Sequence, residues 1–143
     1  MTDAHLDDDC IFCRIIRGEI PCFKVLEDDD VLAFMDVNPI APGHVLVVAK
    51  HHSKDILETP PEWTAKAFAG AGRAARAVQK TLAPDGINIL QANGPGAKQS
   101  VFHLHVHVVP RSMDDGLTMN WGLVAGDMDE IGKLAVQIAA NVE

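Results

Sequence analysis

From His103 to His107 imidazole alternates strictly with an apolar side chain, inside the run Gln-Ser-Val-Phe-His-Leu-His-Val-His-Val-Val-Pro-Arg at positions 99 to 111. Period-two alternation marks a strand whose successive side chains point to opposite faces. The three imidazoles therefore share one face, and Leu104, Val106 and Val108 turn toward a core on the other. Such a strand demands a sheet with an apolar layer on one side and room for chemistry on the other.

The rest of the chain supplies that sheet. Ile11, Phe12, Ile15 and Ile16 have helical spacing and Gly18 ends the run, which predicts a short helix over 11–17. Phe23 to Leu26 and Val31 to Asp36 read as a hairpin around the acidic turn 27–30. Prolines and Gly43 make 38–43 a loop. His44 to Ala49 is a third strand, apolar enough to be covered on both sides. A long helix over 62–82 is expected to bury Trp63, Ala67, Ala71, Ala74, Ala75, Val78 and Leu82. Ile87 to Ala92 is a fourth strand, and the loop 93–98 hands over to the histidine strand. Residues 112–126, with Met113, Met119 and Trp121, show no period and are a candidate subunit contact. Asp127 with Glu130 caps a terminal helix whose buried stripe would be Met128, Ile131, Leu134, Ala135, Ile138 and Val142. About five strands with one long and one terminal helix make an α+β arrangement.

With 143 residues, a single domain over 10–143 behind a flexible acidic leader, 1–9, is the simplest organisation. A formal charge of −8 argues against extended contact with a nucleic-acid backbone but not against a single nucleotide. No apolar run approaches the roughly 20 residues of a membrane span, and the acidic start does not resemble a secretory signal. A cytoplasmic protein is expected, without membrane partners. Three cysteines do not make a disulfide framework there. Cys10 and Cys13, two residues apart, read as half of a metal or redox site, and Cys22 as a buried hydrophobe.

A neutral imidazole attacks phosphorus readily and can leave again, so one histidine of the row can form and break a phosphorus–nitrogen bond while others orient it and move protons. Ser100 and the glycine-containing loop before it offer donors to phosphate oxygens. A rival reading is zinc: Cys10, Cys13, one of His51 or His52 and one histidine of the row could close a tetrahedron, leaving the remaining histidines for catalysis.

His103-Leu104-His105-Val106-His107-Val108-Val109 resembles the His-x-His-x-His-x-x signature of the histidine triad (HIT) family. The blocks at 10–16, 18–21, 32–36 and 42–44 are similar to those of bacterial members. The resemblance implies the α+β HIT fold, with an antiparallel sheet continued across a homodimer, and hydrolysis at the α-phosphorus of purine nucleoside phosphoramidates or related nucleotides. It implies that His105 is the nucleophile, flanked by His103 and His107 and supported by His44. Ser100 then serves the phosphate or leaving group with Gln99 before it, Asp36 the ribose hydroxyls, and Ile11, Phe12, Ile15, Phe34 and Val37 the base. It implies a structural zinc on Cys10, Cys13, His52 and His103, which moves His103 from phosphate to metal, and no organic cofactor.

Two positions depart from the family pattern. Ala92 stands where an asparagine is usual, and Asn93 is expected to serve instead; Lys98 replaces a glycine and would bring an ammonium to the phosphate or leaving group. The alternatives are a dinucleoside polyphosphate hydrolase, a nucleotide-binding regulatory module with little turnover, and a hydrolase using zinc itself.

Overall fold

The computed structural model describes residues 5–118 and 123–143. Met119 and Trp121, and the first four residues of the leader, lie outside them. Among these residues, nine elements follow in order: α1 (Ile11–Ile16), β1 (Lys24–Glu27), β2 (Val31–Met35), β3 (Val45–Ala49), α2 (Pro61–Leu82), β4 (Gly86–Leu90), a 3-10 turn (Pro95–Ala97), β5 (His105–Arg111) and α3 (Met128–Ala139). The strands form one antiparallel sheet in the order β1-β2-β3-β5-β4.

The expected hairpin is present. Asp28 closes it, its Oδ1 accepting from the backbone N–H of Asp30 and Val31 at 2.8 Å each. This short side-chain acceptor mimics a backbone turn. β3 is central and all five of its residues are buried, which its uninterrupted apolar run requires. In its register with β5, Leu46 faces His107 and Val48 faces His105, while Val47 pairs with Val106 on the opposite side.

The sheet thus has two differently furnished faces. Against one, α2 packs Ala67, Ala71, Ala74 and Val78 onto Val31, Ala33, Val45, Val47, Val106 and Val108. Small residues let the helix come close: a Cβ on Gly70 would meet Val47 Cγ1 at 3.0 Å and Val31 Cγ2 at 3.2 Å. Against the other, α1 brings Phe12, Cys13 and Ile16 onto Leu32, Phe34, Leu46 and Val48. The histidines emerge on this second face.

Three expectations need correction. Leu82, at the end of α2, is half exposed rather than buried. The histidine strand starts at His105, not His103, because the preceding residues bond to the 49–53 segment: Leu104 N–H donates to the carbonyl of Ser53 at 2.9 Å and His103 Nε2 meets that of Ala49 at 2.8 Å. Finally, α3 is capped as expected, with Asp127 accepting from the N–H groups of Asp129 and Glu130, but it buries none of its residues. Ile131, Leu134 and Ile138 are 50%, 51% and 65% exposed. α2 and α1 supply the helical packing on the two sheet faces, and among the described residues the stripe belongs to neither cluster.

Candidate active site and metal centre

A cleft of about 540 Å³ opens on the histidine face. Its lining brings together His44, Asp36, Ser100, His105 and His107 with the five expected base-slot residues, Ile11, Phe12, Ile15, Phe34 and Val37. Phe12 and Phe34 are buried and meet edge to face, centroids 5.7 Å apart, while Ile11 and Val37 stand exposed at the rim. That difference separates wall from core: two residues hold the slot together and two remain available to a ligand.

His105 is buried and lines the cleft. Its Nδ1 lies 2.7 Å from the carbonyl oxygen of His103. A carbonyl only accepts, so Nδ1 carries the proton and Nε2 keeps its lone pair. Burial, above all, holds the His105 pKa below that of an ordinary imidazole, with Asp36 opposing the shift; the ring is neutral and nucleophilic at neutral pH.

His107 receives its tautomer through His44. The backbone N–H of Ile40 donates to His44 Nδ1 at 3.0 Å. His44 must then carry its proton on Nε2, which lies 2.9 Å from His107 Nδ1 and donates to it. His107 is left with a proton on Nε2. Burial, aided by the neighbouring His105 and His44, brings the His107 pKa down to about 4, and desolvation lowers that of His44 as well. The backbone has set one ring as a lone-pair donor and its neighbour as a hydrogen-bond donor. Asp36 Oδ2 lies 3.6 Å from His44 Nε2, and Asp36 Oδ1 accepts from Asn38 N–H at 2.8 Å. Gly43, at φ +94°, turns the loop so that His44 can return to the sheet; a Cβ there would run into Leu82 Cδ1.

His103 does not line the cleft. It is fully buried behind His105, and its Nε2–H donates to the carbonyl of Ala49. Its Nδ1 lone pair is thereby aimed at Cys10 Sγ (3.5 Å), Cys13 Sγ (3.4 Å) and His52 Nδ1 (3.3 Å), and Cys13 Sγ lies 3.4 Å from His52 Nδ1. Tetrahedral zinc with Zn–S of about 2.3 Å and Zn–N of about 2.1 Å places its ligand atoms about 3.4–3.8 Å apart. The four donors, all within 4.8 Å of one another, fit such an ion. Outer partners are also in place: the Ala49 carbonyl holds His103, and Asp7 Oδ2 is 3.7 Å from His52 Nε2. Burial pushes the Cys13 thiol up to about 12, so a metal must displace its proton to bind there. His51 is turned elsewhere, stacked on Trp63 with centroids 5.2 Å apart.

Three expected ligand contacts are not in the cleft. Asn93 Oδ1 accepts from Ile56 N–H at 2.8 Å, and its amide pairs with that of Gln91. Gln99 is buried; it accepts from Gly94 N–H and donates to the carbonyls of Lys54 and Val101, which ties the loop before β5 into shape. Lys98 lines a neighbouring cleft. Sequence reasoning missed Ile40, whose backbone orients His44. No side-chain signal could have shown it, although the proline-bounded loop around it was a hint.

Residues 17–114 match the model of the HIT domain, and the chain belongs to the HIT family. It is 40% identical over 141 residues to an adenosine 5′-monophosphoramidase of Saccharomyces cerevisiae, an alignment covering 98% of this chain and 87% of that protein. A HIT-family member from Bacillus subtilis superposes with a TM-score of 0.89 at 37% identity, covering 95% of this chain and 99% of that one. A zinc-bound histidine triad protein from Mycobacterium smegmatis does so with a TM-score of 0.74 at 38% identity, covering 93% and 98%. Among the described residues, no helix is long and apolar enough to cross a membrane.

Proposed function

We propose that this protein is a nucleotide hydrolase of the cytoplasm that cleaves at the α-phosphorus of purine nucleoside phosphoramidates and related nucleotides through a nucleotidyl-His105 intermediate. The observation that carries this reading is the opposed tautomers of the two cleft histidines: the bond from Nδ1 to the His103 carbonyl frees the Nε2 lone pair of His105, and the chain from Ile40 through His44 leaves His107 with an Nε2–H. The yeast relative named as an adenosine 5′-monophosphoramidase supports the substrate class.

With the base between Ile11 and Val37 and the ribose hydroxyls on Asp36, the α-phosphate comes to the histidines. A bond forms from His105 Nε2 to phosphorus as the bond to the leaving nitrogen breaks; that nitrogen is hydrogen-bonded by His107 Nε2–H and takes its proton from a water molecule. Ser100, exposed at the cleft mouth, donates to a phosphate oxygen. The hydroxide left by that water then displaces His105 and releases the nucleoside monophosphate.

Cys10, Cys13, His52 and His103 would hold a zinc ion whose contribution is to brace α1 against the sheet. The ion and the nucleophile then share one structural residue, since His103 offers Nδ1 to the metal and its carbonyl to His105. The reading also includes a homodimer, joined where β4 leaves the sheet edge open and α3 presents its apolar stripe.

Release of AMP from adenosine 5′-phosphoramidate tests the function. Wild type turns over, His105→Ala loses about 10³-fold or more in kcat, and mass spectrometry after a rapid alkaline quench, which preserves the phosphorus–nitrogen bond, finds the adenylyl adduct on the peptide carrying His105. Equal rates for the two proteins exclude His105 as nucleophile.

A further inference from the structure

The histidine face of β5 does not end at His107. Val109 and Arg111 have the same parity, and in register with them Leu90 and Asn88 of β4 sit beside His107 and Val109 on that face. These residues, with Gly96, Ala97, Lys98 and the 117–118 segment, enclose a second cleft of about 500 Å³. Ile40 lines both clefts, so the second begins where the first ends, on the far side of His107 from the base slot. A substrate with its base between Ile11 and Val37 and its phosphorus at His105 has this space left for its leaving group.

The charge of the second cleft is one-sided. Among the described residues, no carboxylate lines it. Arg111 is already committed: Nε and Nη2 hold Asp115 at 2.7 and 3.1 Å, Nη1 the Asn88 side chain at 2.7 Å, and Nη2 the Leu117 carbonyl at 2.9 Å. It builds the wall rather than offering charge. Lys98 is exposed and forms no ion pair among the described residues. Its backbone is left-handed, φ +60°, and is held there by the turn that donates its N–H to the Pro95 carbonyl at 3.1 Å. A residue other than glycine is disfavoured in that conformation, so the turn presets the direction in which the ammonium leaves the chain. The result is an unpaired cation at the mouth of an acid-free cleft, in a chain of net charge −8.

We infer that Lys98 is a specificity-determining residue of the reaction proposed above, and that it selects leaving groups carrying a negative charge, such as a carboxylate or a phosphate, over neutral amines. This inference rests on that reading of the site. Lys98 exchanges no proton: the phosphorus–nitrogen bond breaks with His107 Nε2–H bonded to the nitrogen and water protonating it, whichever leaving group departs. The ammonium acts through charge alone, on the part of the leaving group that extends past Ile40.

The test uses two adenosine 5′-phosphoramidates of nearly equal shape, one built on β-alanine and one on β-alaninamide, and compares kcat/KM for the full-length protein and its variants. Wild type is expected to favour the carboxylate, and Lys98→Gln to reduce the ratio about fivefold, the size expected for one solvent-facing charge pair. Lys98→Arg should retain the preference, and raising salt from about 0.05 to about 0.5 M should erode it in wild type but not in Lys98→Gln. A ratio that is the same in wild type and Lys98→Gln, or an equal loss on both substrates, overturns the inference while leaving the hydrolase intact. Absence of turnover on both substrates in wild type overturns the hydrolase and this inference together.

Discussion

His105 Nδ1 donates to the carbonyl oxygen of His103 at 2.7 Å, and the same His103 places its own Nδ1 within 3.5 Å of two cysteine sulfurs. One residue therefore faces two centres with two different groups. Anything that shifts the backbone at His103 disturbs the tautomer of His105 and the cysteine cluster together.

The first consequence concerns zinc. Metal analysis of purified protein should find about one zinc per chain, and Cys13→Ser should find little or none. Because the ion would tie α1 to the sheet, its loss should lower Tm by about 10 °C or more. It should also lower kcat, with KM for nucleotide changing less, since the base-slot residues of α1 stay anchored by Phe12 on Phe34. Full metal content in Cys13→Ser would remove that cysteine from the ligand set.

A second prediction isolates His44. His44→Phe removes both the acceptor for Ile40 N–H and the donor to His107, so His107 can adopt the wrong tautomer. On adenosine 5′-phosphoramidate kcat should fall about 10²-fold. With a p-nitrophenolate leaving group, which departs without a proton, the loss should shrink to a few-fold. Equal losses on both substrates would make His44 a structural residue only.

Acid should unfold the metal-free protein through its buried imidazoles. His103 and His107 both have folded pKa values of about 4 against an ordinary value of 6.5. Their neutral forms belong to the folded state, so the stability tied to them is complete above about pH 6.5 and is lost as pH falls through 6.5 toward 4. Protonating each costs the fold on the order of 3 kcal/mol once pH has fallen below about 4. Chemical denaturation between pH 7.5 and 4.5 should show the decline, and His107→Asn should flatten part of it.

The last prediction addresses α3. Its exposed Ile131, Leu134 and Ile138 are too contiguous to be left to water. Sedimentation of wild type should give a dimer at micromolar concentration, and Ile131→Glu combined with Leu134→Glu should shift it to monomer while far-ultraviolet circular dichroism stays nearly unchanged. A monomeric wild type would refute the shared interface.

Much of the architecture is legible along the chain, because strand and helix periods are local. The alternation at 103–107, the apolar run of β3 and the small-residue spacing of α2 each specify which side of an element meets the core, and the register of β3 with β5 honours that choice. The stripe on α3 is just as clear in sequence, yet periodicity states only that a face is apolar, not what covers it. The family resemblance places Asn93 and Gln99 at the ligand, but polar residues beside a glycine loop can serve either a ligand or the backbone, and only the folded loop shows that both serve the backbone.

The sequence alone determined that His105 and His107 share one face of a sheet, since side-chain direction along a strand depends on nothing beyond parity. Parity could not say that the three imidazoles of the row are chemically unequal. That was decided by main-chain groups distant in sequence: the carbonyl of Ala49 holding His103, the carbonyl of His103 holding His105, and the amide of Ile40 acting through His44 on His107. A neutral imidazole has one proton to place on either of two nitrogens, and the choice is made by whichever backbone donor or acceptor tertiary structure brings beside it.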